Sequence, residues 1–171
     1  MPYIPQEQRP EIDAIVDLLM GDNFSHNDMV ANTLGDIILR LAQGICLGTR
    51  VGRSAQHPTD SLVELLDAVG DPDEIAGRLN YALSRIMWRF CGHDGRGVRR
   101  YARMNAVYSA IDFAHDDFRC WVREARVTQG VLAGRDHAVN GAIGLAKAEF
   151  RRRLIDPYED EKIESAGDVA L

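Results

Sequence analysis

Two stretches of this chain repeat one another, and the repeat constrains the fold more than any other feature of the sequence. NAVYSAIDFAHDDFR at 105–119 aligns without gaps with HAVNGAIGLAKAEFR at 137–151. The identical pairs are Ala106/Ala138, Val107/Val139, Ala110/Ala142, Ile111/Ile143, Ala114/Ala146, Phe118/Phe150 and Arg119/Arg151. Most of the shared apolar positions recur at helical spacing, so each copy presents a small-residue face that ends in phenylalanine. We therefore expect two related amphipathic helices that pack together.

Helix signals also dominate the rest of the chain, and no stretch alternates apolar and polar residues for long enough to demand a strand. Capping patterns and proline positions predict helices near 10–20, 26–47, from 61, 74–91, 98–126 and 136–155. A weaker similarity links 35–45 with 77–87, and two genuine repeats would give two related two-helix units about a pseudo-twofold axis. The sequence predicts an all-α fold: one domain over 1–171, a bundle of about six helices with an internal helix duplication.

The charge is segregated along the chain. The net charge is −6, yet residues 87–154 carry 13 basic and 7 acidic side chains, while residues 155–171 carry 1 basic and 6 acidic ones. An acidic protein is a poor candidate for generic nucleic-acid binding. Because proline cannot continue a helix, Pro157 is expected to end the last helix near residue 155. The acidic tail, 155–171, is then expected to fold back onto the bundle and its arginines.

Several function classes are disfavoured by composition. No apolar run approaches the roughly 20 residues needed to cross a bilayer, so no membrane association is expected. The start of the chain, MPYIPQEQRP, lacks the basic and apolar stretches of a secretory signal. Cys46, Cys91 and Cys120 are widely spaced in apolar helical stretches, which favours buried, reduced thiols over a disulfide framework. The expected location is the cytoplasm.

The most suggestive candidate site is rich in arginine and glycine. GHDGRGVRR at 92–100 opens a predicted helix, and glycine-rich helix starts are able to cradle anions. A simple interhelical loop explains the same residues. If the site is functional, its expected anion contacts are Arg96, Arg99, Arg100 and Arg103, followed by Arg151, Arg152 and Arg153. A structural alternative for the last three is that they complement the negative end of the final helix.

Two further groups of residues are candidates. Asn80 and Tyr81 lie within a helix where asparagine is unfavourable, so they are expected either to bond across a helix interface or to line a pocket. No metal site is expected in the main interpretation. In an alternative interpretation, a divalent metal ion binds Asp112, His115 and Asp116, which share one helix face, and Glu149 from a neighbouring helix. A solvated polar face opposite the small-residue stripe is the simpler explanation of these residues. No cofactor is expected unless this alternative brings in Mg²⁺.

Three segments carry a resemblance to a known family. MPYIPQEQRPEID at the start, GRLNYALSRI in the middle and GAIGLAKAEFRRRLIDPYEDEKIESAGDV at the end are similar to a family of small helical proteins of unknown function. Members of that family open on Met-Pro-Tyr-Ile, carry a Gly-x-Leu-Asn-Tyr helix and end on a Pro-Tyr-Glu-Asp and Asn-Gly-Asp tail. This chain departs from the pattern at Ala166, which stands where members have Asn. They are associated mainly with bacteriophages. The resemblance implies an all-α fold and supplies no catalytic residues.

These observations lead to one main hypothesis and two alternatives. The main hypothesis is a non-enzymatic, phage-encoded accessory protein that acts as a homodimer in the host cytoplasm. It would capture a small anionic, nucleotide-like ligand or a protein partner. The first alternative is a Mg²⁺-dependent nucleotide pyrophosphohydrolase of all-α type, which would use the acidic helix face. The second is a purely structural or assembly protein.

Overall fold

The described part of the chain is built of helices. The computed structural model describes residues 4–23, 30–48, 60–71, 73–91, 98–129 and 134–166. Its α-helices are α1 (Arg9–Asn23), α2 (Val30–Leu47), α3 (Asp60–Val69), α4 (Ile75–Cys91), α5 (Val98–Gln129), α6 (Arg135–Phe150) and α7 (Asp156–Ala166). A 3-10 turn precedes α1 at Gln6–Gln8, and a π-helical turn at Arg151–Ile155 connects α6 to α7. No strand occurs in these ranges, which confirms the predicted all-α class.

Helix α6, the π turn and α7 follow one another without a break, so they form one rod from Arg135 to Ala166. The prediction that Pro157 ends the last helix is therefore wrong. In a regular α-helix, a proline ring clashes with the carbonyl group four residues earlier. The turn before Pro157 is wider, because the backbone N–H of Asp156 bonds to the carbonyl group of Arg151, five residues back. Pro157 then falls at the start of α7, where its missing N–H matters little.

Four helices form the centre of the bundle in two matching pairs. Helix α5 makes its most extensive contacts with α2, and α6 makes its most extensive contacts with α4. Smaller contacts join α2 to α6 and α4 to α5. Exchanging α2 with α4 and α5 with α6 therefore reproduces the packing pattern. This is the contact pattern of two helix pairs related by a pseudo-twofold axis between α5 and α6, and it agrees with the two sequence repeats.

The two copies of the stronger repeat have equivalent environments. Both members are buried in the pairs Val107/Val139, Ala110/Ala142, Ile111/Ile143, Ala114/Ala146 and Phe118/Phe150. Small side chains on these faces allow close helix packing. A Cβ atom built on Gly35 of α2, for example, would lie 3.7 Å from the carbonyl oxygen of Ala110. The repeat therefore specifies which face of each helix enters the core.

Helices α1 and α3 cover one side of this core and contact α4 as well as each other. Cys46 and Cys91 are buried as predicted, and burial raises the pKa of Cys46 to about 12. Cys120 is exposed, contrary to the prediction, because it lies on the outer face of α5. No described helix combines the length and the apolar character that a membrane span requires.

Candidate functional site

The antiparallel pairing of α5 and α6 brings the start of α5 next to the end of α6. Lys147 Nζ lies 4.9 Å from the centre of the Tyr108 ring, and Arg151, one turn further along, also reaches Tyr108. The π turn packs directly against α5. The backbone positions of the α5 arginines and of the π-turn arginines therefore lie towards the same end of the bundle, and anion binding by these residues stays a prediction. This Arg-rich end consists of the positions of Arg99, Arg100, Arg103, Arg151, Arg152 and Arg153.

The α5 part of the Arg-rich end combines basic residues with a helix N-terminus. Arg96 lies outside the described residues, as do the side chains of Arg99 and Arg100, whose backbones belong to the first turn of α5. The side chain of Arg103 is exposed. The first turn of a helix carries backbone N–H groups without helical partners and a partial positive charge. Arginines at these positions add charge of the same sign, which makes this end a favourable place for an anion.

The three arginines of the π turn are each paired with a carboxylate. Arg151 Nε lies 3.2 Å from Asp156 Oδ1. Arg152 donates to both oxygens of Glu149 at 3.0 and 2.8 Å, and Arg153 Nε lies 2.5 Å from the same carboxylate. Hydrogen bonds from Arg152 and then Arg153 lower the pKa of Glu149 to about 2. All three guanidinium groups are exposed, so water and other anions compete with these pairs.

Helix α7 carries most of the acidic tail, and it continues directly from the π turn. Tyr158 is partly buried against the core, and Lys162 lies over its ring at 5.4 Å. Asp156 provides the ion pair between α7 and the described arginines. The other acids of α7 form no ion pair within the described ranges, and they are Glu159, Asp160, Glu161 and Glu164. Asp156 follows Arg151 by five residues in the same continuous rod, so this pair is local. The folding back of the tail, 155–171, onto the bundle stays a prediction.

Tyr81 belongs to an interhelical network rather than to a polar cavity. Its hydroxyl group lies 3.1 Å from both carboxylate oxygens of Asp13 on α1, and Arg85 Nε reaches the same carboxylate at 2.6 Å. One turn along, Arg89 pairs with Asp17 at 2.6 Å. This α1–α4 clamp realises the first of the two roles expected for Tyr81. The side-chain oxygen of Asn80 is buried and has no hydrogen-bond partner in the described part of the chain.

The residues of the alternative metal site are held apart by other partners. Asp112 pairs with Lys147, and Asp116 pairs with Arg119 at 3.3 Å. His115 Nε2 lies 2.9 Å from Asn140 Oδ1, while Glu149 holds the arginines of the π turn. Among the described side chains, no three His, Cys, Asp or Glu residues converge in a group that could hold a metal ion. The common helix face was correctly predicted, but α6 supplies a cation, Lys147, and an amide, Asn140. Arg119 of α5 itself supplies the second cation.

Comparison with known proteins places the chain in a family. A family model described as a domain of unknown function, DUF6899, matches residues 1–126. The chain belongs to this family. The DUF6899 match includes the opening segment and the Gly-x-Leu-Asn-Tyr helix on which the resemblance depended, and it ends within α5, before the second repeat copy and the acidic tail. No curated protein matches the chain, and no solved structure matches it.

The DUF6899 region contains interhelical contacts whose partners could not be assigned from the sequence. The α1–α4 clamp joins Asp13 and Asp17 to three residues of α4, Tyr81, Arg85 and Arg89, which recur at four-residue spacing. That spacing on an exposed helix face was a signal for a charge-complementary neighbour. The sequence alone did not identify α1 as that neighbour, because Asp13 and Tyr81 lie 68 residues apart.

Proposed function

We propose that this DUF6899 member is a non-enzymatic binding protein that captures a small anionic, nucleotide-like ligand at its Arg-rich end. The supporting observation is the antiparallel pairing of α5 and α6, in which Lys147 lies over the ring of Tyr108 and Arg151 is close enough to interact electrostatically with it. Through that pairing, arginines that are about 50 residues apart in the sequence share one end of the bundle. As part of the same proposal, the protein is a phage-encoded accessory protein of the host cytoplasm.

The ligand class follows from the chemistry of the Arg-rich end. A guanidinium group offers a planar pair of N–H donors that fits phosphate and carboxylate oxygens. Hydrogen bonds between ionised groups are roughly twice as strong as neutral ones. A di- or triphosphate carries more charge than the single carboxylates of Glu149 and Asp156, which hold Arg151, Arg152 and Arg153 in the free protein. We therefore expect a polyphosphate to exchange with these carboxylates.

Binding is favoured over Mg²⁺-dependent hydrolysis by the partners of the acidic residues. A hydrolase of this kind needs carboxylates that face one another across a metal ion. Asp112 and Asp116 instead contact Lys147 and Arg119, which already neutralise their charge. A metal ion at this place would have to displace both cations.

Isothermal titration calorimetry with inorganic pyrophosphate and with nucleoside di- and triphosphates tests the proposal, with and without Mg²⁺. We expect binding that does not need Mg²⁺ and that weakens as salt is added. Loss of one charge-assisted hydrogen bond, in Arg151→Ala, should weaken binding about tenfold.

Arg119→Ala is the matched control, because Arg119 occupies the equivalent repeat position and lies beyond the α5–α6 contacts that define the Arg-rich end. It should leave the affinity unchanged. Absence of binding, or equal loss in both variants, would contradict the proposal. Release of pyrophosphate from a nucleoside triphosphate that requires Mg²⁺ would support the hydrolase instead.

A further inference from the structure

Helix α7 presents a charged face with no partner in the described part of the chain. Glu159, Asp160, Glu161 and Glu164 form no ion pair there, although these ranges also contain the Arg-rich end. Ile163 lies among these acids and is 46% exposed. Helix α7 is the last 11 residues of the rod that begins at Arg135, so the rod positions its acids at the end of the bundle.

We propose that the acidic face of α7 docks on the Arg-rich end of a second copy of this chain. The first argument is charge complementarity. Residues 155–171 carry 6 acidic and 1 basic side chain, and the preceding segment, 87–154, carries 13 basic and 7 acidic ones. Opposite potentials of this kind steer association and determine which surfaces meet. The inference rests on the proposed function in one respect, since both use the Arg-rich end.

The second argument is the position of α7 in the bundle. The π turn contributes Arg151, Arg152 and Arg153 to the Arg-rich end. It ends at Ile155, and α7 starts directly after it at Asp156. The acidic helix and the basic surface therefore lie at the same end of one molecule. Two copies that meet at this end can each place α7 on the other. Such a reciprocal arrangement is closed and has twofold symmetry, so it forms a dimer rather than a filament.

The third argument concerns the same contact within one copy. Asp156, the first residue of α7, pairs with Arg151. The carboxylate of Glu149, which precedes the π turn, holds Arg152 and Arg153. The acids of α7 after Asp156 thus form no ion pair with these three arginines in the described part of their own molecule. In the dimer, they replace Glu149 or extend its network.

A charge-exchange experiment tests the proposal with the full chain. One variant carries Glu159→Lys, Glu161→Lys and Glu164→Lys, and the other carries Arg99→Glu, Arg100→Glu and Arg103→Glu. Sedimentation velocity should show a dimer for the unchanged protein at low salt, with a dissociation constant that rises at high salt. Each variant alone should be monomeric, because like charges then face each other in both contacts. An equimolar mixture should recover the dimer, since both contacts again join opposite charges.

A matched control reverses three exposed acids at other places, in Glu7→Lys, Glu11→Lys and Glu64→Lys. This variant should dimerise like the unchanged protein. Circular dichroism of each variant shows whether it is folded, and removal of 156–171 provides a second test that introduces no like-charge repulsion. That truncation should weaken dimerisation at least about tenfold, which corresponds to about 1.4 kcal/mol.

The proposal is overturned if the unchanged protein stays monomeric, if the mixed variants stay monomeric while folded, or if the truncated chain dimerises normally. Its failure is separate from failure of the proposed function. A monomeric protein that binds pyrophosphate at the Arg-rich end would contradict the dimer and leave ligand capture supported. A dimer that depends on α7 but binds no polyphosphate would support the docking of α7 and contradict ligand capture.

Discussion

His115 donates a hydrogen bond from Nε2 to Asn140 Oδ1 across 2.9 Å, and this bond joins α5 to α6. Arg119 Nε lies 3.2 Å from the same Asn140 atom. Because a guanidinium nitrogen only donates, that atom must be the amide oxygen, and His115 therefore carries a proton on Nε2. In the repeat, His115 corresponds to Lys147 and Asn140 corresponds to Tyr108. The contact between Lys147 and Tyr108 is thus the symmetry-related counterpart of the His115–Asn140 bond.

A second pair of contacts follows the same relation. Arg119 reaches Asn140, and its counterpart, Arg151, reaches Tyr108, the counterpart of Asn140. The pseudo-twofold axis thus relates individual side-chain contacts as well as helices. Substitutions at equivalent positions of the repeat should therefore have comparable effects where the environments match, and different effects where the side chains differ.

The environment of His115 predicts a loss of stability in mild acid. Burial lowers the pKa of His115 below its ordinary value of 6.5; the positive charges of Arg119 and Lys147 act in the same direction, while Asn140 and Asp116 oppose them. A lowered pKa means that the folded protein favours the neutral imidazole. The neutral His115 therefore stabilises the folded protein fully above the pKa that His115 has in the unfolded chain, and this stabilisation declines as the pH falls below that value.

The measurement is the midpoint of thermal unfolding between about pH 7.5 and 5.5. The unchanged protein should lose more stability over this interval than His115→Gln, in which an amide replaces the imidazole. Equal losses in both proteins would show that other groups cause the pH dependence.

The repeated phenylalanines should contribute similarly to the core. Phe118 and Phe150 occupy equivalent positions and are buried. Phe118→Ala and Phe150→Ala should each lower the free energy of unfolding by about 3–5 kcal/mol, because each leaves a cavity. Phe113→Ala is the control on the same helix, since Phe113 is 71% exposed. It should change stability by less than about 0.5 kcal/mol in urea denaturation. A large loss in the control would indicate that Phe113 is covered in solution.

Alanine substitution should change the free energy of unfolding in opposite directions at two glycines, one in a helix and one with a positive φ. Gly141 lies within α6, and a Cβ atom there meets no atom within 4 Å. Gly141→Ala should raise the free energy of unfolding by about 1 kcal/mol, because alanine favours the helix. Gly134 precedes α6 with a φ of +75°. Gly134→Ala should lower stability by about 1 kcal/mol, since a side chain is strained in that region. Changes of the same sign in both variants would contradict this assignment.

The α1–α4 clamp should contribute more than an ordinary surface ion pair. Asp13 accepts hydrogen bonds from both Tyr81 and Arg85 in a half-buried setting. Asp13→Ala should therefore lower the free energy of unfolding by about 1–2 kcal/mol. Asp36→Ala is the control, because Asp36 pairs with Arg40 on the surface of one helix. Its effect should stay below about 0.5 kcal/mol. Similar effects of both substitutions would show that the α1–α4 clamp stabilises the protein no more than an ordinary surface ion pair.

Parts of the fold that depend on local patterns could be predicted from the sequence. The small-residue faces of the repeat were identified from spacing, and their members are buried in both copies. Local rules failed at Pro157, because they compare proline with a regular α-helix, whereas the chain uses a π turn. They also failed at Asp112 and Asp116. Spacing correctly put both carboxylates on one helix face and Arg119 beside Asp116, but it did not show that Lys147 of α6 pairs with Asp112.

The sequence by itself determined the helical class, the buried faces and the unequal distribution of charge, because each depends on neighbours within a few turns of one helix. Only the tertiary structure decided that α5 and α6 run antiparallel, so that Arg103 and Arg151 belong to the same end of the bundle. It also decided that Tyr81 meets Asp13. The physical reason is that packing direction depends on how all apolar faces are buried together, and no local spacing records that choice.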